Sequence, residues 1–285
     1  MRAVCVVFLC ATGCTHGAGK ATSTNWLERS GLFAGAAVGN GDKAVFQTVL
    51  IDQPAGDPYL THELWEASNK PLPPDRAALL AENGLRVAII DGNPPPAFLK
   101  LVTSEVATVR PNQGTGSLNE SRPVAVNGPV PRAVFATSSE IGGERTTFDL
   151  TQAECAFSVT PTAAEDGRIR LTFEPRTQHG TRQSWLRPSG DGTGFAWLDA
   201  KPGDAFPKLS FDVTLGPKEY LVLGPTASPV GKLGGTFFLD ASEGRSHMRV
   251  LVIRAWRGVE PETARKPTAA VAAQASQVLA RGQSR

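Results

Sequence analysis

Between residues 131 and 258 the chain is a succession of short apolar runs set off by turn residues. That rhythm restricts it to a mainly antiparallel β architecture. The clearest case is Arg168-Ile169-Arg170-Leu171-Thr172-Phe173, where every second residue is apolar, as a half-buried strand requires. Further runs are Arg132–Thr137, Glu144–Leu150, Cys155–Pro161, Gly194–Leu198, Leu209–Leu215, Glu219–Leu223, Thr236–Leu239 and Met248–Trp256. Turns such as Glu165-Asp166-Gly167 and Gly190-Asp191-Gly192 separate them. Composition agrees: glycine and proline supply 51 of 285 residues, well above a background of about 12%. That excludes a helical bundle, a coiled coil and a multi-span membrane protein. A net charge of +2 gives no concentrated basic field, so no nucleic-acid partner is expected.

Residues 43–107 read differently, as a small α+β unit. KAVFQTVLI at 43–51 predicts a strand, and Asp57-Pro58 predicts a helix capped by the aspartate, with Trp65 in the core. Asp75 is expected to cap a second helix that stops at Asn83-Gly84. Leu85–Ile90 suits a buried strand, and Ala97–Thr103 a third helix. Residues 108–130 hold three prolines and three glycines and read as a linker or a long ordered loop. The expected fold class is therefore α+β: a small N-terminal α+β unit at 43–107, then a mainly antiparallel all-β module at 131–258. The Ala-, Gln- and Arg-rich tail at 259–285 is expected to be disordered.

The N-terminus reads as an address. Arg2 precedes an apolar stretch, Ala3–Ala11, which as a helix spans about 14 Å. A membrane crossing needs about 20 residues, so the stretch suits a secretory signal instead. Small residues Ala11-Thr12-Gly13 then lead to Cys14. This resembles a bacterial lipobox, with alanine where that family usually carries leucine at Ala11. The resemblance implies cleavage of residues 1–13 and lipidation of Cys14. Thr15, in place of an aspartate, implies sorting to the outer membrane. Residues 14–42 would form a flexible tether. An uncut or ordinarily cut signal is the alternative. A phosphate loop at Cys14–Ala21 fails at Cys14, where glycine is needed, and at Ala21, where Ser or Thr is needed. Cys5 and Cys10 leave with the signal and Cys14 takes lipid, so Cys155 alone remains, expected as buried packing.

Three segments of the β module resemble the C-terminal module of bacterial secretins of type II and III secretion. They are Val159–Pro161 with Asp166–Pro175, then Phe211–Gly224, then Leu233–Phe238 with the closing run Val250–Arg254. The family's gate signature and its repeated upstream ring-building domains are missing, and residues 177–194 are too polar to face lipid. The resemblance therefore implies a secretin-like soluble β module at 131–258, in an export-apparatus or other structural protein that contacts envelope proteins or its own copies.

No motif predicts an enzyme. His16, His62, His179 and His247 are each isolated, and His62-Glu63-Leu64-Trp65-Glu66 lacks the second histidine of a zinc-protease helix. No cofactor and no metal are expected. Asp57, Glu63 and Glu66 suit a solvated helix face. One cluster suggests recognition: Arg176, His179, Arg182, Trp185 and Arg187, cations around an aromatic that suit a glycan or another anionic ligand. A solvated hairpin tip is the plainer reading of the same residues.

Overall fold

The computed structural model describes residues 43–188, 194–240 and 246–257; for Trp185, Arg187 and residues 196–199 it describes the backbone only. Cys14, the signal at 1–13, the tether at 14–42 and the tail at 259–285 lie outside the described residues.

The chain opens with β1 (Lys43–Pro54), a π-helical turn (Tyr59–Glu63), α1 (Leu64–Glu66), α2 (Pro74–Glu82), β2 (Leu85–Ile90) and α3 (Pro96–Thr103). Asp57 begins the first helical segment as expected: its carboxylate accepts from the Leu60 amide at 3.0 Å. Asp75 is not the cap of α2; it lies in the first turn, after Pro73 and Pro74 have set the helical start. Gly84 ends α2 at φ +80°, the left-handed stop that Asn83-Gly84 predicts. Then come β3 (Thr108–Ser117), β4 (Arg122–Ser138), β5 (Arg145–Ala163), β6 (Ile169–Gln178), β7 (Gln183–Pro188), β8 (Phe195–Ala200), β9 (Gly203–Ala205), β10 (Phe211–Leu215), β11 (Tyr220–Pro225), α4 (Leu233–Phe238), β12 (Leu239–Asp240) and β13 (His247–Arg257).

The first sheet runs in the order β2–β11–β13–β1–β3, with β12 beside β13. Its central pair is β1 against β13, antiparallel from Ala44 opposite Arg257 to Pro54 opposite His247. The second sheet runs β10–β6–β5–β4, with β9 along the end of β6. All of these pairs are antiparallel. The two sheets share one core, in which Leu50, Leu221, Leu251 and Ile253 meet Phe157, Leu171, Phe173 and Val213. The far side of the first sheet carries a second apolar layer, where Phe98 of α3 meets Tyr220 edge-on at 5.3 Å. Trp65 is partly buried there over Gly224; its indole Nε1 donates to Leu60 O at 2.7 Å, and the Arg86 guanidinium stacks on it at 4.0 Å.

The fold is thus mainly antiparallel β, and the expected N-terminal α+β unit does not stand apart. β1 and β2 pair with β13 and β11, so residues 43–107 complete the sheet whose other strands come from the C-terminal part. Residues 108–130 are not a linker: they form β3 and the first half of β4. Both are edge strands, where Pro111, Pro123 and Pro129 remove amide groups at little cost to the ladder. The runs at 144–150 and 155–161 join into one long β5, passing through Gln152 at φ +51°. Of the expected strand at 236–239, only Leu239 enters β12; the rest is α4.

Tertiary packing overrides strand propensity at α4. Phe237 and Phe238 are fully buried, and Phe237 lies 5.2 Å from Phe157. Close approach of backbone makes room for them: the Gly234 amide donates to Asn83 O at 2.9 Å, and a methyl group on Gly234 would fall inside the Gly84 carbonyl. Asn83 is itself buried and bridges to β4, giving to Ser138 O at 2.9 Å and accepting from the Ser138 amide at 2.8 Å. Gly234→Ala is therefore expected to lower unfolding free energy by about 3 kcal/mol or more, since overpacked cores relax poorly. Gly194→Ala, where a methyl meets nothing within 4 Å, should change it by less than about 0.5 kcal/mol. Urea denaturation of the two variants checks both.

Candidate functional site

Strand alternation fixes what the second sheet shows to solvent. On β5, Cys155, Phe157 and Val159 point into the core, so Glu154, Ala156 and Ser158 face outward. The register then sets Ala125, Ala156, Arg176 and Ala205 in one row across β4, β5, β6 and β9. Beside that row lies another of Glu154, Gln178 and Gly203. Solvent-facing sheet positions ordinarily carry large polar side chains. Here alanines and a glycine leave a cleft of about 800 Å³, within the usual size range of ligand sites.

The charged groups of the cleft are Arg110, Arg176, Lys201, Glu154 and Asp204. Arg176 gives its Nε to Glu174 at 2.7 Å, and Lys201 pairs with Glu154 at 2.6 Å. Arg110 is exposed and has no ion-pair partner among the described residues; its one bond is a long donation to Gly128 O at 3.3 Å. Its backbone is left-handed, φ +52°, where β3 slips register against β1 between Thr48 and Leu50. Such bulges re-aim side chains, and a non-glycine residue held there stores backbone strain.

The five residues that the sequence gathers into one recognition cluster fall on three parts of the fold. Arg176 is in the cleft, on β6. His179 follows β6, its Nε2 at 3.4 Å from Asp204 Oδ2. Arg182 is exposed on the approach to β7. Trp185 and Arg187 lie within β7, opposite Leu198 and Ala196 of β8. Sequence reasoning missed Arg110, Lys201 and the alanine floor. Arg110 lies in a segment read as linker, and the floor is legible only once the register is known.

Other polar groups hold structure. Arg249 gives Nε to Asp52 (2.9 Å), Nη1 to Asn127 (2.8 Å) and Nη2 to Asp240 (2.6 Å), while His247 Nδ1 meets the other Asp52 oxygen at 2.7 Å. Asn127 in turn donates to Thr236 O at 2.9 Å and Leu239 O at 3.1 Å, so the network ties β1, β4, α4 and β13 together. Arg254 is buried between Tyr220 and Trp256 and donates to Pro217 O at 2.9 Å; burial lowers its pKa. Desolvation likewise brings the Arg86 guanidinium down to about 10. Among the described residues no group of three or more His, Cys, Asp or Glu converges to hold a metal ion, and no helix is long and apolar enough to cross a membrane.

No protein-family profile matches the chain, and no curated protein matches it. Among solved structures, the chain is similar to the InvG secretin domain β-barrel from the Salmonella SPI-1 injectisome NC-base, at 9% identity over 85% of this chain and 69% of that one. The TM-score is 0.19, too low to carry an argument about fold or function.

Cys155 is buried, 1% exposed, with Sγ directed at Thr236 O, and desolvation pushes its thiol up to about 12. At pH 8 the thiolate share is then on the order of 10⁻⁴, and thiolate is the nucleophile. Iodoacetamide is expected to leave the Cys155 peptide unlabelled in the native protein and to label it fully in guanidinium chloride. Peptide mass spectrometry reads both states.

Proposed function

We propose that this chain is a non-enzymatic, lipid-anchored protein of the bacterial cell envelope, held at the outer membrane through Cys14. In this reading its β domain self-assembles through the β7–β8 ribbon. The observation that carries the assembly is the ribbon itself. Among the described residues it is a two-stranded sheet of β7 and β8 alone, and an isolated hairpin is at best marginally stable in water. Its register puts Pro188 opposite Phe195 and Leu186 opposite Trp197, so Leu186 and Phe195 share one face. They are 54% and 73% exposed. An apolar face with open backbone edges fits a second copy of the same ribbon.

Three of the four outer edges of the main sheets, β3, β4 and β2, are blunted against this role. β3 and β4 carry prolines, and β2 is covered by the chain at Asn69, whose amide donates to Ile89 O at 3.0 Å. Anchoring draws its support from the lipobox-like run before Cys14, because two or more acyl chains hold a protein stably where one does not. A role beside secretion proteins draws its support from the secretin-like segments alone. The turn between the second pair of these, β10 and β11, carries the chain from the second sheet to the first rather than closing a hairpin.

The detergent-solubilised full-length chain is expected to have a multimeric mass by light scattering. Leu186→Arg together with Phe195→Arg should reduce it to the monomer without altering far-ultraviolet circular dichroism. A parent protein that is already monomeric at micromolar concentration contradicts the reading.

A further inference from the structure

We propose that the cleft on the outer face of the second sheet binds an extended acidic segment of polypeptide. This site is separate from the β7–β8 ribbon and does not depend on how copies assemble. Charge decides the ligand's sign. Glu154 already pairs with Lys201 and Asp204 lies 3.4 Å from His179, whereas Arg110 faces no carboxylate among the described residues. Arg176 has spent only Nε on Glu174, so its two terminal nitrogens remain for a bidentate carboxylate contact.

Shape decides the ligand's class. The floor between the two arginines is Ala125 and Ala156, directly opposed in register. With strands about 4.8 Å apart, the Arg176 backbone stands about 10 Å from that of Ala125, beside which Arg110 enters. An extended chain advances about 3.3 Å per residue, so acidic side chains two or three positions apart reach both guanidinium groups. Alanine side chains let a main chain lie close to the sheet, and Ser121, Ser158 and Gln178 along the walls supply partners for its amides. A sugar ring would need an aromatic platform, and among the described residues the cleft is lined by none. Pro123 and Pro129 bar the alternative of adding the peptide as a strand to the β4 edge, which leaves the face of the sheet as its seat. The left-handed Arg110 fits this role: a bulge aims its cation over the cleft, at a cost in backbone strain that the bound carboxylate offsets.

Fluorescence anisotropy of the full-length protein with a labelled six-residue oligoglutamate tests the proposal, with oligolysine as the opposite-charge probe. Oligoglutamate is expected to bind and oligolysine is not. Arg110→Ala and Arg176→Ala should each weaken binding at least tenfold. Ala156→Leu, which fills the floor without changing charge, should do the same. Arg132→Ala removes an exposed cation of the same sheet that is paired with Asp149 and should leave binding unchanged. Circular dichroism confirms that each variant is folded. Equal weakening by Arg132→Ala, or parent-like affinity in Ala156→Leu, would mean diffuse attraction to a basic surface and overturns the proposal, as does absence of oligoglutamate binding by the parent.

Discussion

The antiparallel run of β1 along β13 is the constraint on which the rest of the structure depends. It joins the start of the described chain to its end, Ala44 opposite Arg257 and Pro54 opposite His247. Leu50, Leu251 and Ile253 are thereby delivered to one face and Ile51, Val250 and Val252 to the other. β2 and β11 extend the same sheet on one side and β3 on the other. Without that pairing the helical segments at 59–66 and 96–103 would have no floor, and β4–β6 would have no second sheet to cover Phe157 and Phe173. Pairings so distant in sequence form late and at an entropic cost. The Arg249–Asp52–Asn127–Asp240 network and the glycine contact at Gly234 supply directional restraints that a purely apolar interface lacks.

Local features were legible in the sequence and long-range ones were not. Strand alternation in 168–173, the aspartate start at Asp57 and the left-handed stop at Gly84 are each set by a few neighbouring residues, and each is present in the fold. Residues 108–130 were misread because proline and glycine mark loops and edge strands alike, and only a sheet order tells them apart. The run Leu233–Phe238 became a helix because Gly234 and Gly235 admit neighbouring carbonyls that no side chain would tolerate. The same limit applies to function. Arg176 stood out as part of a cationic cluster, yet its companions in the cleft are Arg110 and Lys201, brought near by register rather than by sequence proximity.

On the proposed reading, recognition falls to two surfaces, the second sheet and the β7–β8 ribbon. The open face of the second sheet is floored with alanine and flanked by Arg110 and Arg176, which suits a ligand that lies flat. The separate β7–β8 ribbon offers backbone edges and the Leu186–Phe195 face, which suits a copy of itself. The ionisable groups in the interior do other work: Arg249 ties strands together, Arg254 and Arg86 lie against aromatic rings, and Cys155 is sealed as a thiol. On the proposed reading, such a molecule acts by where it is held and by what it touches. An acylated Cys14 would fix that position, and a tether of residues 14–42 would set how far the β domain stands from the membrane surface.

Native mass spectrometry of the protein released from detergent micelles tests that account most directly, because one spectrum reports both the covalent state of each chain and the number of chains held together. The account predicts multimers of a chain that begins at Cys14 and carries diacylglyceryl and amide-linked acyl groups. Monomers of bare polypeptide would contradict it.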